Sequence, residues 1–200
     1  MRTALLLLLL GGTALAAPPV RDPDWPCQSV KVPEISLGAV WTGPSLDPYL
    51  ATWSGDADAA ALAQRLAQRR VPLDEAEAAI KRFADGAGEQ RQDHLLALMA
   101  GLFATLNAER TSVVNGLSRF GHRQKELGAE LRQTIADLRT EQDKPDADAA
   151  RVAQLTEHVE WGTRVFGQRA QSVRYACDVP NLIEQRLFAL ARVIQAALPS

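Results

Sequence analysis

Residues 89–142 read EQRQDHLLALMAGLFATLNAERTSVVNGLSRFGHRQKELGAELRQTIADLRTEQ, and this stretch decides the fold because it runs for 54 residues without a proline. Thirteen positions in it are separated by steps of four and three residues, which alternate from 99 onward, and ten of them are apolar: 95, 99, 103, 106, 110, 113, 117, 120, 124, 127, 131, 134 and 138. A step that averages 3.5 residues is the repeat of a coiled-coil seam. The stretch therefore predicts one very long helix, or two helices separated by a kink.

A second seam follows the break at Lys144-Pro145-Asp146, at positions 152, 155, 159, 162, 166, 169, 173 and 176. If the chain folds back at Pro145, the two seams meet in an antiparallel hairpin over about 110–178, with its tip near 143–146. Each arm is then roughly 45 Å long, and facing residues have numbers that sum to about 290. Glycines come level in two pairs, 121 with 167 and 128 with 162, which indicates either a close approach of the helices or kinks.

Shorter helical segments flank this hairpin in the sequence. One is predicted over 56–68, and another begins at Asp74 with a capping-box pattern and ends at a Gly-Ala-Gly breaker. Pro180 is predicted to end the second arm, and a last amphipathic helix follows over 181–198. We therefore expect an all-α protein with a single helical domain over 56–200: a helical bundle base from which a long antiparallel coiled-coil hairpin projects.

The amino terminus has the pattern of a secretory signal peptide. Arg2 precedes an apolar run, and an Ala-Leu-Ala cleavage site follows it. We interpret residues 1–16 as the signal peptide, because cleavage one residue later would leave Pro18 as the first residue. An uncleaved anchor is the less favoured alternative, since the apolar run is shorter than the roughly 20 residues that a bilayer requires. The expected location is the periplasm, and the mature chain is not expected to be an integral membrane protein.

Residues 17–55 are predicted to form an extended arm rich in proline and tryptophan. Seven of the eleven prolines and three of the four tryptophans lie there, and proline at that density cannot sustain a helix. Trp25, Trp41 and Trp53 would expose a large apolar area on an isolated arm. We therefore expect the arm to lie against the rest of the protein.

The chain has two cysteines, Cys27 and Cys177. An even number of cysteines in an exported protein favours a disulfide. The sequence has no C-x-x-C redox motif, no C-x-x-C-H haem motif and no Cys/His pairs at zinc spacing. A Cys27–Cys177 bridge is therefore the preferred reading, with free or intermolecular thiols as the alternative.

A charged residue, Arg110, falls on the apolar seam of the long helix, next to Glu109. A charge in that position must be paired or reach solvent, and Glu184 on the last helix is a plausible partner. We call these three residues the polar seam. An ion pair that fixes helix register is the favoured interpretation, and a functional polar site is the alternative.

Basic residues cluster along the middle of the predicted hairpin. We call them the basic belt: Arg119, Arg123, Lys125, Arg164, Arg169 and Arg174. The tip beyond them is acidic, and residues 164–175 contain no acid. The belt is a candidate docking surface for a partner of opposite charge, for anionic lipid or for cell-wall polymer. A solvated helix surface with incidental clustering is the competing interpretation.

No pattern in the sequence predicts catalysis or a cofactor. The three histidines fall far apart along the predicted bundle, and no G-x-S-x-G, H-E-x-x-H, P-loop or G-x-G-x-x-G motif is present. The formal net charge of −2 argues against nucleic acid as a partner. We therefore expect a protein that is not an enzyme and that binds no metal, cofactor or nucleic acid.

Several motifs carry a family resemblance: DPDWPCQ, KVP, VWTGP, LNAER, RFGHRQKEL and CDVPNLIEQRLFALAR. They resemble a group of exported proteobacterial proteins with no assigned activity. The resemblance covers most of the mature chain and implies export to the periplasm, but it brings no catalytic residue and no cofactor.

The expected function is that of an interaction, adaptor or accessory factor, which would bind another periplasmic or envelope protein through its hairpin. A small-ligand or cofactor carrier, with a pocket between the base helices and the Trp-rich arm, is the main alternative. An enzyme and a self-associating structural protein, that is a homo-oligomer, are the others.

Overall fold

The computed structural model describes residues 22–199. This part of the chain contains six α-helices, two 3₁₀ turns and no strand, so the protein is all-α. The helices are α1 (Leu37–Val40), α2 (Asp47–Leu50), α3 (Ala57–Ala67), α4 (Leu73–Gly86), α5 (Arg91–Gln142) and α6 (Ala149–Ala197). The predicted signal peptide and the first residues of the predicted arm lie outside the described residues.

The two long helices α5 and α6 pack side by side in opposite directions. A Cβ atom added to Gly128 would lie 3.2 Å from the Phe166 ring, and one added to Gly162 would lie 3.2 Å from the Leu131 side chain. The Gln124 amide also donates a 2.9 Å hydrogen bond to the Phe166 carbonyl. The numbers of these paired residues sum to between 290 and 294, which agrees with the predicted register.

The turn between the long helices lies where the proline break predicts it. Helix α5 ends at Gln142, and Asp148 forms the N-cap of α6, its side chain accepting hydrogen bonds from the Ala150 and Arg151 amides. Such a cap satisfies amides that have no partner inside the helix.

The glycine pairs behave differently from one another: Gly128 and Gly162 lie in close contact with the facing helix, whereas Gly167 has no neighbour within 4 Å of an added Cβ.

The prediction of a separate last helix after Pro180 is wrong, because α6 continues through this residue to Ala197. A proline inside a helix removes one backbone hydrogen bond and crowds the preceding turn. Pro180 is buried, and Ile183 and Leu187 in the following turns are fully buried as well. Packing of this segment against the base compensates for the lost hydrogen bond, a tertiary effect that a local pattern does not contain.

The base of the molecule is formed by α3, α4, the first turns of α5 and the last turns of α6, which pack on one another. Eight consecutive residues of α5, Leu95–Leu102, are buried, so this segment is surrounded on all sides. Asp56 caps α3 by accepting a hydrogen bond from the Ala59 amide. The predicted cap at Asp74 is wrong: α4 begins one residue earlier, at Leu73 after Pro72.

The prolines predict an extended arm, but the arm forms three short helical segments where it crosses the base. It contains α1, α2 and the 3₁₀ turn Trp53–Gly55. Each of these elements is three or four residues long, so proline still excludes any longer helix. Trp41 is buried, and a Cβ on Gly101 would lie 2.7 Å from the Trp53 ring, so both tryptophans pack into the base.

Candidate interaction surface

The amino-terminal part of the arm is fixed to the root of the hairpin by a disulfide. Cys27 and Cys177 are bonded, with their Cα atoms 5.6 Å apart and a sequence separation of 150 residues. This contact between distant parts of the chain limits how far residues 22–27 can move from α6.

Asp24 binds this part of the arm to α5 through its carboxylate. One oxygen accepts a 2.9 Å hydrogen bond from the Lys125 ammonium group, and the other lies 3.1 Å from His122 Nδ1. The hydrogen bond from Lys125 holds the pKa of Asp24 below its ordinary value. Gly121 allows this approach, because a Cβ there would collide with the Asp24 carbonyl oxygen and lie 3.3 Å from the Pro26 ring. The sequence predicts that Gly121 comes level with Gly167, but the close neighbour of Gly121 in the structure is the arm.

The basic belt is therefore divided. Lys125 forms an ion pair with Asp24 of the arm, and 57% of its side chain remains exposed. Arg119 and Arg123 are exposed, and each lies two residues from Gly121, which packs against Asp24. Because two residues turn a helix by about 200°, Arg123 points away from Gly121 and from the arm segment that packs there, whereas Arg119 also lines a groove with Glu34 of the arm. The belt has a side that the arm covers and a side that it leaves open.

On α6, all three belt arginines, Arg164, Arg169 and Arg174, are exposed. None of the five arginines of the belt forms an ion pair within residues 22–199. Other basic residues in this part of the chain do form ion pairs. Arg169 comes level with Arg123 in the observed register. Arg123 and Arg169 thus lie side by side without an acidic group within ion-pair distance among the described residues, whereas Arg164 and Arg174 face other directions around α6.

The polar seam lies at the root of the hairpin. Arg110 is buried, and its guanidinium group lies 3.6 Å from the Glu184 carboxylate and donates a 2.7 Å hydrogen bond to the Val32 carbonyl. The arginine therefore joins α5, α6 and the arm. Glu109 points elsewhere and lies 3.9 Å from Arg69. A buried guanidinium group on α5 with partners on two other segments favours the interpretation that this group fixes helix register.

Arg186 is a buried residue that the sequence pattern does not single out. Its Nε donates a 2.8 Å hydrogen bond to the Leu66 carbonyl in the last turn of α3. Carbonyls at a helix carboxyl terminus lack partners inside the helix and carry partial negative charge, so a cation is favourable there. Burial lowers the pKa of Arg186, and the nearby Glu109 opposes that effect. In the sequence, the one signal that could have indicated this role is the position of the arginine next to the apolar stripe of α6.

Exposed aromatic residues form a second feature that sequence reasoning missed. Trp161 is 57% exposed and Tyr175 is 74% exposed, although both lie on α6 among small and polar neighbours. They fall outside the seam, so the heptad pattern treats them as surface positions without further meaning. Large aromatic side chains are enriched at protein interfaces relative to the rest of a surface.

A groove between the arm and the hairpin has a volume of about 620 Å³. Its walls combine Pro23 and Trp25 of the arm with Lys125, Arg132 and Phe166 of the long helices. A smaller hollow of about 250 Å³ lies between Ala39, Val40 and the Phe188 region of α6. The second position is the one predicted for a carrier pocket, between the base helices and the arm.

No group of three or more histidine, cysteine or acidic side chains within residues 22–199 has the geometry to hold a metal ion. His94 lies against Asp56, His122 against Asp24, and His158 lies 3.9 Å from Glu130. Each histidine therefore has a nearby acidic group, and the three are far apart in the chain. None of the helices in the described part of the chain is both long enough and apolar enough to cross a membrane.

No protein-family model, curated protein or solved structure matches this chain. The candidate interaction surface is therefore defined by features of this chain alone: an all-α fold, a disulfide that holds the arm to α6, and a hairpin with an open basic side.

Proposed function

We propose that the protein is an exported, non-enzymatic interaction factor, an adaptor or accessory protein that binds an envelope partner through the open side of its α5–α6 hairpin. The supporting observation is the division of the basic belt. The arm pairs with Lys125, whereas Arg119, Arg123 and Arg169 have no acidic group within ion-pair distance in the described part of the chain. No cofactor takes part in this function.

Charge and shape both favour an acidic protein partner. Exposed arginines that are not paired internally attract an oppositely charged surface and raise its association rate. A two-helix hairpin also presents a long, rigid face on side chains whose positions are fixed by packing. A disulfide between the two cysteines is compatible with the oxidising compartment that export implies.

The test is charge reversal on the open side. The variant Arg119→Glu/Arg123→Glu/Arg169→Glu should lose its partner in pull-down assays from the periplasmic fraction, while its melting temperature stays close to that of the wild type. The matched control is Arg82→Glu, at an exposed base arginine remote from the hairpin. If the triple variant recovers the same partner in the same amount, the basic belt has no role in binding.

A carrier of a small ligand is the second candidate, and the groove beside Trp25 supports it. The groove has a volume suited to a small molecule, and the buried Gln124 Oε1 atom in its wall has no hydrogen-bond partner within the described residues. A ligand there would alter the fluorescence of Trp25. Purified protein whose tryptophan emission is unchanged after extraction with organic solvent and refolding would argue against a bound ligand.

A further inference from the structure

We infer that a second copy of this chain docks on the outer side of α6, so that two hairpins associate in an antiparallel dimer. The residues concerned follow alternating steps of four and three from Ala150 to Tyr175, and we call them the outer stripe. All eight of them are exposed, and they lie on the side of α6 opposite the seam that contacts α5. The stripe consists of Ala150, Gln154, Glu157, Trp161, Arg164, Gln168, Gln171 and Tyr175. Its recognition of another helix would rest on the two exposed aromatic side chains and on charge, because five of its eight residues are polar or charged.

The stripe is self-complementary about Trp161. Glu157 lies four residues before this tryptophan, and Arg164 lies three residues after it. When two copies of α6 run antiparallel with Trp161 near the two-fold axis, Glu157 of each copy comes level with Arg164 of the other. A two-fold interface requires this reciprocity, in which residue i meets residue j and j meets i. Two identical ion pairs would then flank a pair of exposed tryptophans.

The same register continues towards both ends of the stripe. Ala150 comes level with Gln171 of the second copy, so a small residue faces a long one. Tyr175, which is 74% exposed, comes level with residue 146 at the acidic tip. The tip of each hairpin would therefore stop beside Tyr175, ahead of the buried Pro180 that marks the base of the other copy. Hairpin length and base position are compatible with this arrangement over roughly 38 Å of helix.

The inference is independent of the proposed function. Arg169 lies six residues from Tyr175, which places it about 120° around the helix from the outer stripe. Arg119 and Arg123 belong to α5. A dimer through the outer stripe would thus leave the open side of the basic belt accessible to another partner.

The experiment is sedimentation velocity on the mature, disulfide-bonded chain over a wide concentration range. The wild type should form dimers. Glu157→Arg alone and Arg164→Glu alone each place like charges opposite one another twice, and each should raise the dimer dissociation constant about tenfold or more. The double variant Glu157→Arg/Arg164→Glu exchanges the two charges and should restore the dimer. Trp161→Ala should weaken the dimer, while Arg82→Glu on the base should have no effect.

All the substituted residues are exposed, so circular dichroism should show unchanged helix content and serves as the folding control. A wild-type chain that stays monomeric at all concentrations would overturn the inference and leave the outer stripe to a different protein. A dimer that both single reversals leave intact, or that the double variant fails to restore, would also overturn it.

Discussion

Substituting Gly121 by alanine tests whether the arm lies on the hairpin as described. Alanine normally stabilises a helix relative to glycine by about 1 kcal/mol. At this position, however, the new Cβ would collide with the Asp24 carbonyl oxygen, which belongs to the arm backbone and cannot move by a side-chain rotation. Overpacking of this kind costs about 1–3 kcal/mol. The net change in the free energy of unfolding should therefore be a loss of up to about 2 kcal/mol.

Gly167→Ala is the matched control, because Gly167 is also within a long helix of the hairpin and an added Cβ there has no neighbour within 4 Å. This control should raise the free energy of unfolding by up to about 1 kcal/mol. Urea unfolding of both variants with the disulfide intact measures the difference. If Gly121→Ala stabilises the protein as much as Gly167→Ala does, the arm does not contact α5 at this residue.

Three further predictions concern the arm and the base. Cys27→Ser/Cys177→Ser opens a loop of about 150 residues and should lower the free energy of unfolding by up to about 5 kcal/mol in the chain-entropy treatment, as measured in urea; an unchanged midpoint would contradict the stapling role. Arg186→Met removes the hydrogen bond to Leu66 and should lower stability by about 2 kcal/mol, whereas the exposed Arg192→Met should have little effect; equal losses in the two variants would count against capping of α3. The Asp24 carboxylate stabilises the folded state at pH values above its ordinary pKa of 3.8, and it loses this effect as the pH falls through the lowered pKa of the folded state. The difference in free energy of unfolding between the wild type and Asp24→Asn should therefore disappear in acid. A difference that persists would refute the assignment.

The long helices could be predicted from the sequence because their signals are local. A proline-free run with a 3.5-residue repeat gives α5 within two residues at its start, and the Lys144-Pro145-Asp146 break gives the position of the turn. The register of the hairpin follows from the same repeat. The cysteine pair is predicted by the even number of cysteines together with the predicted signal peptide, both of which are patterns within the sequence.

Tertiary contacts account for what the sequence did not predict. Pro180 reads locally as a helix end, yet packing on both sides keeps α6 continuous through it. Arg186 reads as a surface arginine, because the carbonyl that it caps belongs to a helix 120 residues earlier. Lys125 reads as a free member of the basic belt until the disulfide brings Asp24 beside it. In each case the decisive neighbour is distant in the chain.

The central proposal, that the open side of the hairpin binds an acidic partner, is tested most directly by site-specific photo-crosslinking in cells that produce the protein. A photoreactive residue would replace Arg169 on the open side or Arg82 on the base, one at a time. We predict one adduct of defined size from position 169, abolished when Arg119→Glu and Arg123→Glu are added, and no such adduct from position 82. Equal crosslinking from positions 82 and 169, or an adduct at 169 that survives both charge reversals, would contradict the proposal.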